Sequence, residues 1–110
     1  RIMKRIYISG KITGQKNPEL EFEATEQFVQ AKYKAQVINP YKVHKELPEL
    51  KHEEYMKLCF AEIDISDAVY FMENWKESCG ASQEMGYAIA KGKEIIIEGE
   101  SGSRTIGDQG

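Results

Sequence analysis

The run Asp67-Ala68-Val69-Tyr70-Phe71-Met72, then Ser78-Cys79-Gly80-Ala81-Ser82-Gln83-Glu84-Met85-Gly86-Tyr87-Ala88-Ile89-Ala90-Lys91-Gly92, then Lys93-Glu94-Ile95-Ile96-Ile97-Glu98, decides the fold of this chain. The first and last segments are short and apolar, with the β-branched and aromatic side chains of buried strands. Between them Ser78 is a good helix N-cap, and Gly92 suits the left-handed residue just past a helix end. At about 100° per residue, Ala81, Met85, Ala88, Ile89 and Gly92 share one face. Glu84 falls at the edge of that face, half-buried beside small side chains that leave room for something else.

Outward from this run, strand and helix alternate. Lys4 to Ser9, with Ile6-Tyr7-Ile8 at its centre, reads as a strand that leaves the sheet at Gly10. Lys11-Ile12-Thr13-Gly14-Gln15-Lys16 is a polar loop. It is not a Walker A loop, because no Gly-Lys-Ser/Thr follows. Asn17-Pro18-Glu19 starts a helix, Asn capping and Pro taking the first position, and Leu20, Ala24, Phe28 and Ala31 then recur at helical spacing as the stripe of a scaffold helix. Gln36-Val37-Ile38-Asn39 is a second strand stopped by Pro40. Tyr41 to His52 reads as a surface loop placed as a lid over the strand ends. From His52 to Ser66 the helical period returns, with Met56, Cys59, Phe60 and Ile63 on one stripe.

Four strands over three helices predict an α/β fold: a parallel sheet of four to five strands, flavodoxin- or Rossmann-like, with helices on both faces. Residues 1–98 form a single α/β nucleotide-binding domain in this reading, and the small polar residues of 99–110 form a flexible C-terminal tail. Ligands of such sheets sit beyond the carboxyl ends of the strands. That selects the loop after Ile8, the loop after Ile38, and the loop from Met72 into the Glu84 helix.

Composition narrows the partners. The chain has 110 residues, enough for one core, and carries fifteen Lys and Arg against eighteen Asp and Glu, a net charge of -3. With no basic cluster, polymeric nucleic acid and anionic membrane are poor partners. Cys59 and Cys79 lack a metal-type spacing and read as free thiols of a reducing cytoplasm, and His44 and His52 are isolated, so neither a metal nor a cofactor is expected. No apolar run approaches the roughly 20 residues of a membrane span, so a soluble, cytoplasmic protein is expected. Arg1-Ile2 ahead of Met3-Lys4 reads as a remnant in front of a natural start at Met3.

The helix N-terminus at Ser78 to Ala81 offers free amide hydrogens and a positive dipole end to an anion such as a phosphate, and the Ser78 hydroxyl adds a donor. Glu84, one to two turns on, stands about a sugar ring away from that anion. A carboxylate there can attack an anomeric carbon or stabilise its oxocarbenium-like transition state. An acid in the first turns also suits the macrodipole alone, so both readings stay open. Tyr7 either orients the carboxylate or packs, and Trp75 and Tyr41 either stack on a base or rim the loops. Cys79, at the same helix end, is a candidate reactive thiol.

Ile6-Tyr7-Ile8-Ser9-Gly10-Lys11-Ile12-Thr13-Gly14, Asn39-Pro40, Tyr55-Met56, Asp67-Ala68-Val69-Tyr70, and Trp75 with Ser78-Cys79-Gly80-Ala81 and Glu84 resemble a small uncharacterised phage and bacterial family. That family is similar to nucleoside 2-deoxyribosyltransferases and 2'-deoxynucleoside 5'-phosphate N-hydrolases. The resemblance extends nearly to Glu98. It implies Glu84 as nucleophile, supported by Tyr7. The candidate substrate contacts are Ser9, Gly10, Lys11, Ile12, Asn39, Trp75, Ser78, Gly80 and Ala81. Serine at 78, where the transferases acting on free nucleosides hold an aspartate, implies a substrate with a 5'-phosphate.

One position departs from the pattern. Eight residues before Asp67, where the related enzymes carry a second carboxylate that handles the leaving base, this chain has Cys59. Glu62 and Asp64 lie near enough in sequence to be substitute acids. The expected function is cleavage or transfer of the N-glycosidic bond of a (deoxy)nucleoside 5'-monophosphate, a hydrolase if water accepts the sugar and a transferase if a second base does. The alternative is a non-catalytic nucleotide-binding or sensing protein on the same fold. The resemblance also implies a homodimer or larger homo-oligomer, for which Met56, Phe60 and Tyr87 offer apolar contacts.

Overall fold

The computed structural model describes residues 4–100. The expected start at Met3, and the expected tail from residue 101 onward, lie outside the described residues. Strand β1 (Arg5–Ser9), helix α1 (Pro18–Tyr33), strand β2 (Gln36–Ile38), helices α2 (Pro40–His44) and α3 (His52–Asp64), strand β3 (Ala68–Phe71), helix α4 (Cys79–Ala90) and strand β4 (Glu94–Ile97) follow in order, with a 3-10 turn at Trp75–Glu77 before α4. All four strands are parallel, in the order β2-β1-β3-β4. The chain therefore steps outward one way from β1 to β2, returns to place β3 on the other side of β1, and opens a crevice at the carboxyl ends of β1 and β3.

Alternation along the strands divides the core in two. Ile6, Ile8, Ala68, Tyr70 and Ile96 pack with Phe22 and Val29 of α1 on one face. Tyr7, Val69, Phe71 and Ile95 pack with Cys59 and Ile63 of α3 and Met85 and Ala88 of α4 on the other. The register aligns Tyr7 with Val69 and Val69 with Ile95, so the second core is continuous across three strands. The sheet has four strands with helices on both faces, as the alternating pattern predicts. Among the described residues no helix is long and apolar enough to cross a membrane.

Two local expectations are corrected. The stripe Leu20, Ala24, Phe28 and Ala31 does not face the sheet: Leu20 is 61% and Phe28 50% exposed, while Phe22 and Val29 are fully buried. Successive helical residues point about 100° apart, so α1 buries either Phe28 or Val29 but not both. The compact β-branched residue is the one against the sheet, and Phe28 leans on Tyr70 from the side, ring centroids 6.4 Å apart. Pro40, expected only to end a strand, also opens α2: Asn39 caps it by accepting from the Lys42 amide at 3.2 Å, and proline suits the first helical position.

Gly10 sets how closely β1 and β3 end together. A Cβ there would lie 2.6 Å from Met72 Sδ and 3.0 Å from Met72 Cβ. Gly10→Ala is expected to cost about 1–3 kcal/mol by overpacking, measured by denaturant unfolding. Unchanged stability would mean that Met72 swings aside freely.

Candidate active site

The crevice holds a cleft of about 600 Å³ lined by the end of β1 and its loop, by Pro40 and by α3 residues including His52, Tyr55 and Met56. Glu77 to Ala81 and Glu84 complete its walls. Its chemistry begins with a period of two. Tyr7 and Ser9 project from the same face of β1, toward α4, and both meet Glu84: the Tyr7 hydroxyl donates to Oε2 at 3.1 Å and the Ser9 hydroxyl donates to Oε1 at 2.6 Å. Glu84 is only 5% exposed, deeper than the half-burial expected at the edge of its helical face. The two hydroxyls draw it in, because a buried carboxylate oxygen needs donors.

Burial pushes the Glu84 carboxyl above its ordinary range, against the hydrogen bonds from Ser9, Cys59 and Tyr7 that favour its charged form. Burial, with the Glu84 charge second, pushes Tyr7 well above the usual phenol range and keeps it a donor. A carboxylate with raised proton affinity is a stronger nucleophile than a solvated one and is still ionised once the pH passes its pKa. Titration of Glu84, followed by its carboxyl carbon-13 shift, is expected to have its midpoint above the roughly 4.3 of a free glutamate. A midpoint at or below that value would show the hydroxyls outweighing burial.

One turn from Glu84 lies the open end of α4. Ser78 caps it, its Oγ accepting from the Ala81 amide at 3.1 Å while its own hydroxyl hydrogen stays available to donate. The first intrahelical bond runs from Ser82 to the Ser78 carbonyl, so the Cys79 and Gly80 amides precede the ladder and point out of the helix end. A Cβ on Gly80 would make only ordinary contacts, the nearest 3.4 Å to Met56 Sδ, so packing does not require a glycine here. Lys11 adds a cation at the rim. Its amide donates to Asn74 Oδ1 at 3.1 Å, tying the loops after β1 and β3 together, and its ammonium lies 3.5 Å from Glu77.

Ser9, Gly10, Lys11, Ile12, Ser78, Gly80 and Ala81 all line the cleft with Tyr7 and Glu84. Asn39 and Trp75 stand outside it. Asn39 is buried, capping α2 and donating to Glu26 at 3.1 Å, and Trp75 tilts on Phe71 with ring centroids 5.5 Å apart. Tyr41 stacks against Phe22. Neither Glu62 nor Asp64 reaches the cleft: Glu62 pairs with His44 Nε2 at 2.6 Å, and Asp64 accepts from the Tyr87 hydroxyl at 2.7 Å on the exposed side. Cys79 lines the cleft, whereas Cys59 is fully buried behind it. The histidines, isolated in sequence, are not both isolated in space, for His44, Cys59 and Glu62 bring donor atoms within 4.8 Å of one another. Tyr55, His52 and Glu77 are cleft residues that the sequence reading passes over as site groups.

The family model described as Domain of unknown function (DUF4406) matches residues 4–97. The chain belongs to this family. No curated protein matches it in sequence. Among solved structures it is similar to a conserved protein from Enterococcus faecalis V583, at 18% identity and a TM-score of 0.67 over 86% of this chain and 62% of that one. It is similar to a 2-desoxiribosyltransferase from Leishmania mexicana, at 21% identity and 0.65 over 86% and 63%. It is also similar to the CMP N-glycosidase BcmB from Clostridium botulinum, at 22% identity and 0.57 over 86% and 70%. The chain thus spans less than two thirds of the first two. The shared feature is the fold, and the nucleoside deoxyribosyltransferase-like architecture implied by the sequence resemblance is the one found.

Proposed function

We propose that this protein breaks the N-glycosidic bond of a (deoxy)nucleoside 5'-monophosphate through a glycosyl ester on Glu84. The observation that carries this reading is a buried carboxylate, fixed by two hydroxyls, one helical turn from an open helix N-terminus capped by serine. In this mechanism the 5'-phosphate docks on the Cys79 and Gly80 amides and the Ser78 hydroxyl, which sets the anomeric carbon against Glu84. The carboxylate attacks that carbon as the base leaves, and water or a second base then takes the sugar and frees Glu84. Tyr7 and Ser9 hold the attacking oxygens in place, as positioning groups do when they restrict a reacting atom to one geometry. Two structural neighbours carry names for 2-deoxyribosyl transfer and for N-glycoside cleavage of CMP, which supports the same class of chemistry. A homo-oligomeric assembly belongs to the proposal, with the stacked pair Phe60 and Tyr87, ring centroids 4.2 Å apart, as the candidate contact.

Incubation with 2'-deoxynucleoside 5'-monophosphates is expected to release free base, detected by chromatography. A second reading, a nucleotide binder without turnover, is favoured by the thiol at Cys59. Measurable nucleotide affinity by calorimetry with no base released from any member of the panel would select the binder.

A further inference from the structure

The groups around Glu84 have a common property. Tyr7, Ser9 and Cys59 donate to it from β1 and α3, Tyr55 of α3 lines the same cleft, and all are neutral, weakly acidic donors. Burial first, and then neighbouring charges, pushes the Tyr55 phenol and the Cys59 thiol far above their ordinary ranges. The neighbouring carboxylates are paired with cations. Glu62 is held by His44 behind the wall, and Glu77 lies 3.5 Å from Lys11 at the rim. His52 sits at the phosphate end of the cleft, its Cε1 3.9 Å from the place of a Gly80 Cβ. Among the described residues, therefore, the surroundings of the reacting carboxylate can donate hydrogen bonds to a departing base but are poorly suited to protonate it.

A base leaves a sugar in one of two ways. It is protonated on a ring nitrogen first, as adenine- and cytosine-type bases require, or it departs as an anion whose charge is delocalised onto two carbonyl oxygens, one beside the glycosidic nitrogen and one conjugated with it through the ring, as uracil-type bases allow. A neutral donor helps only the second, since it stabilises a developing oxyanion without giving up its proton.

We propose that the substrates of this cleft are nucleoside 5'-monophosphates with a uracil-type, 2,4-dioxopyrimidine base that leaves as a carbonyl-stabilised anion, and that Tyr55, on the wall of the cleft that Glu84 also lines, donates the hydrogen bond that steadies a carbonyl. This rests on the Glu84 reading above. In the step, a Glu84 oxygen forms a bond to the anomeric carbon while the carbon–nitrogen bond breaks, and its electron pair moves onto the base. The base anion takes a proton from water after release. When water then attacks the glycosyl ester, its oxygen goes to the sugar phosphate, one proton is released, and Glu84 is again a carboxylate.

The test compares three kinds of compound on the unmodified protein: 2'-deoxyuridine 5'-monophosphate; its adenine and cytosine counterparts; and a 4-nitrophenyl 2-deoxyriboside 5-phosphate, whose leaving group needs no proton. The nitrophenyl compound and the uracil nucleotide are expected to react about 10²-fold or more faster than the adenine and cytosine nucleotides, the scale of a missing general acid. Tyr55→Phe is expected to slow uracil release about tenfold or more, the scale of a lost transition-state donor, and to slow it more than it slows loss of the less basic nitrophenolate. Adenine or cytosine release as fast as uracil release, with the nitrophenyl compound also cleaved, would overturn the leaving-group proposal and leave the Glu84 reading standing. No cleavage of the nitrophenyl compound would overturn both.

Discussion

Glu84→Gln is expected to cut base release from a nucleoside 5'-monophosphate by at least ~10²-fold while nucleotide affinity measured by calorimetry stays the same, because the bond to the anomeric carbon exists only along the reaction path. The amide has the carboxylate's shape and can still accept from one of the two hydroxyls, Tyr7 or Ser9, and donate to the other. It cannot attack. The same variant carries a stability signature that does not depend on turnover. Burial raises the folded-state pKa of Glu84, so the folded protein holds this proton more tightly than the unfolded chain. The stability tied to it is complete below the unfolded pKa of about 4.3 and is lost as the pH rises through the higher folded value. Glu84→Gln is therefore expected to melt at a higher temperature than the parent at pH 7, and the gain is expected to vanish near pH 4. An unchanged rate would remove Glu84 as nucleophile. A variant less stable at pH 7 would mean that the bonds from Tyr7 and Ser9 outweigh the cost of burying the charge.

Ser78→Asp is expected to weaken binding of a nucleoside 5'-monophosphate by about 10²-fold or more and to leave binding of the matching free nucleoside almost unchanged. Aspartate caps a helix as well as serine does, so the bond from the Ala81 amide is kept and α4 starts at the same residue. The difference is a negative charge placed where the phosphate docks, and like charges brought together at a binding site cost several kcal/mol. Calorimetry with the two ligands side by side separates this from a folding defect, which would weaken both. Equal affinity of parent and variant for the monophosphate would place the phosphate away from α4.

The elements of this chain were legible where local signals agreed with the tertiary demand. Asn17 and Ser78 cap the helices they are expected to cap, each accepting from the amide three residues on, and the apolar runs at Ile6-Tyr7-Ile8, Ala68 to Phe71 and Ile95-Ile96 are strands. Legibility failed where two solutions were locally equivalent. Helix α1 carries Phe28 and Val29 as neighbours, and periodicity alone does not say which stripe meets the sheet; packing against Ile6 and Ile8 chose Phe22 and Val29. Candidate site residues divided in the same way. Those on the loop after β1 and at the start of α4 converge on one cleft, because both segments leave adjacent parallel strands at the same end. Asn39 is used to cap α2 and to bond Glu26, and Trp75, in the 3-10 turn just before α4, turns its ring onto Phe71.

By itself the amino-acid sequence determined the alternation of strand and helix, the capped start of α4 and the residue types available to the site, since each depends on interactions within a few positions of the chain. Only the tertiary structure decided that Ser9 and Tyr7 share one carboxylate, that Glu62 is taken by His44, and that Cys59 is fully buried against that same carboxylate. These are contacts between distant segments. Their partners are selected by the order β2-β1-β3-β4 and by the rotation of each helix on the sheet, and no local preference encodes either one.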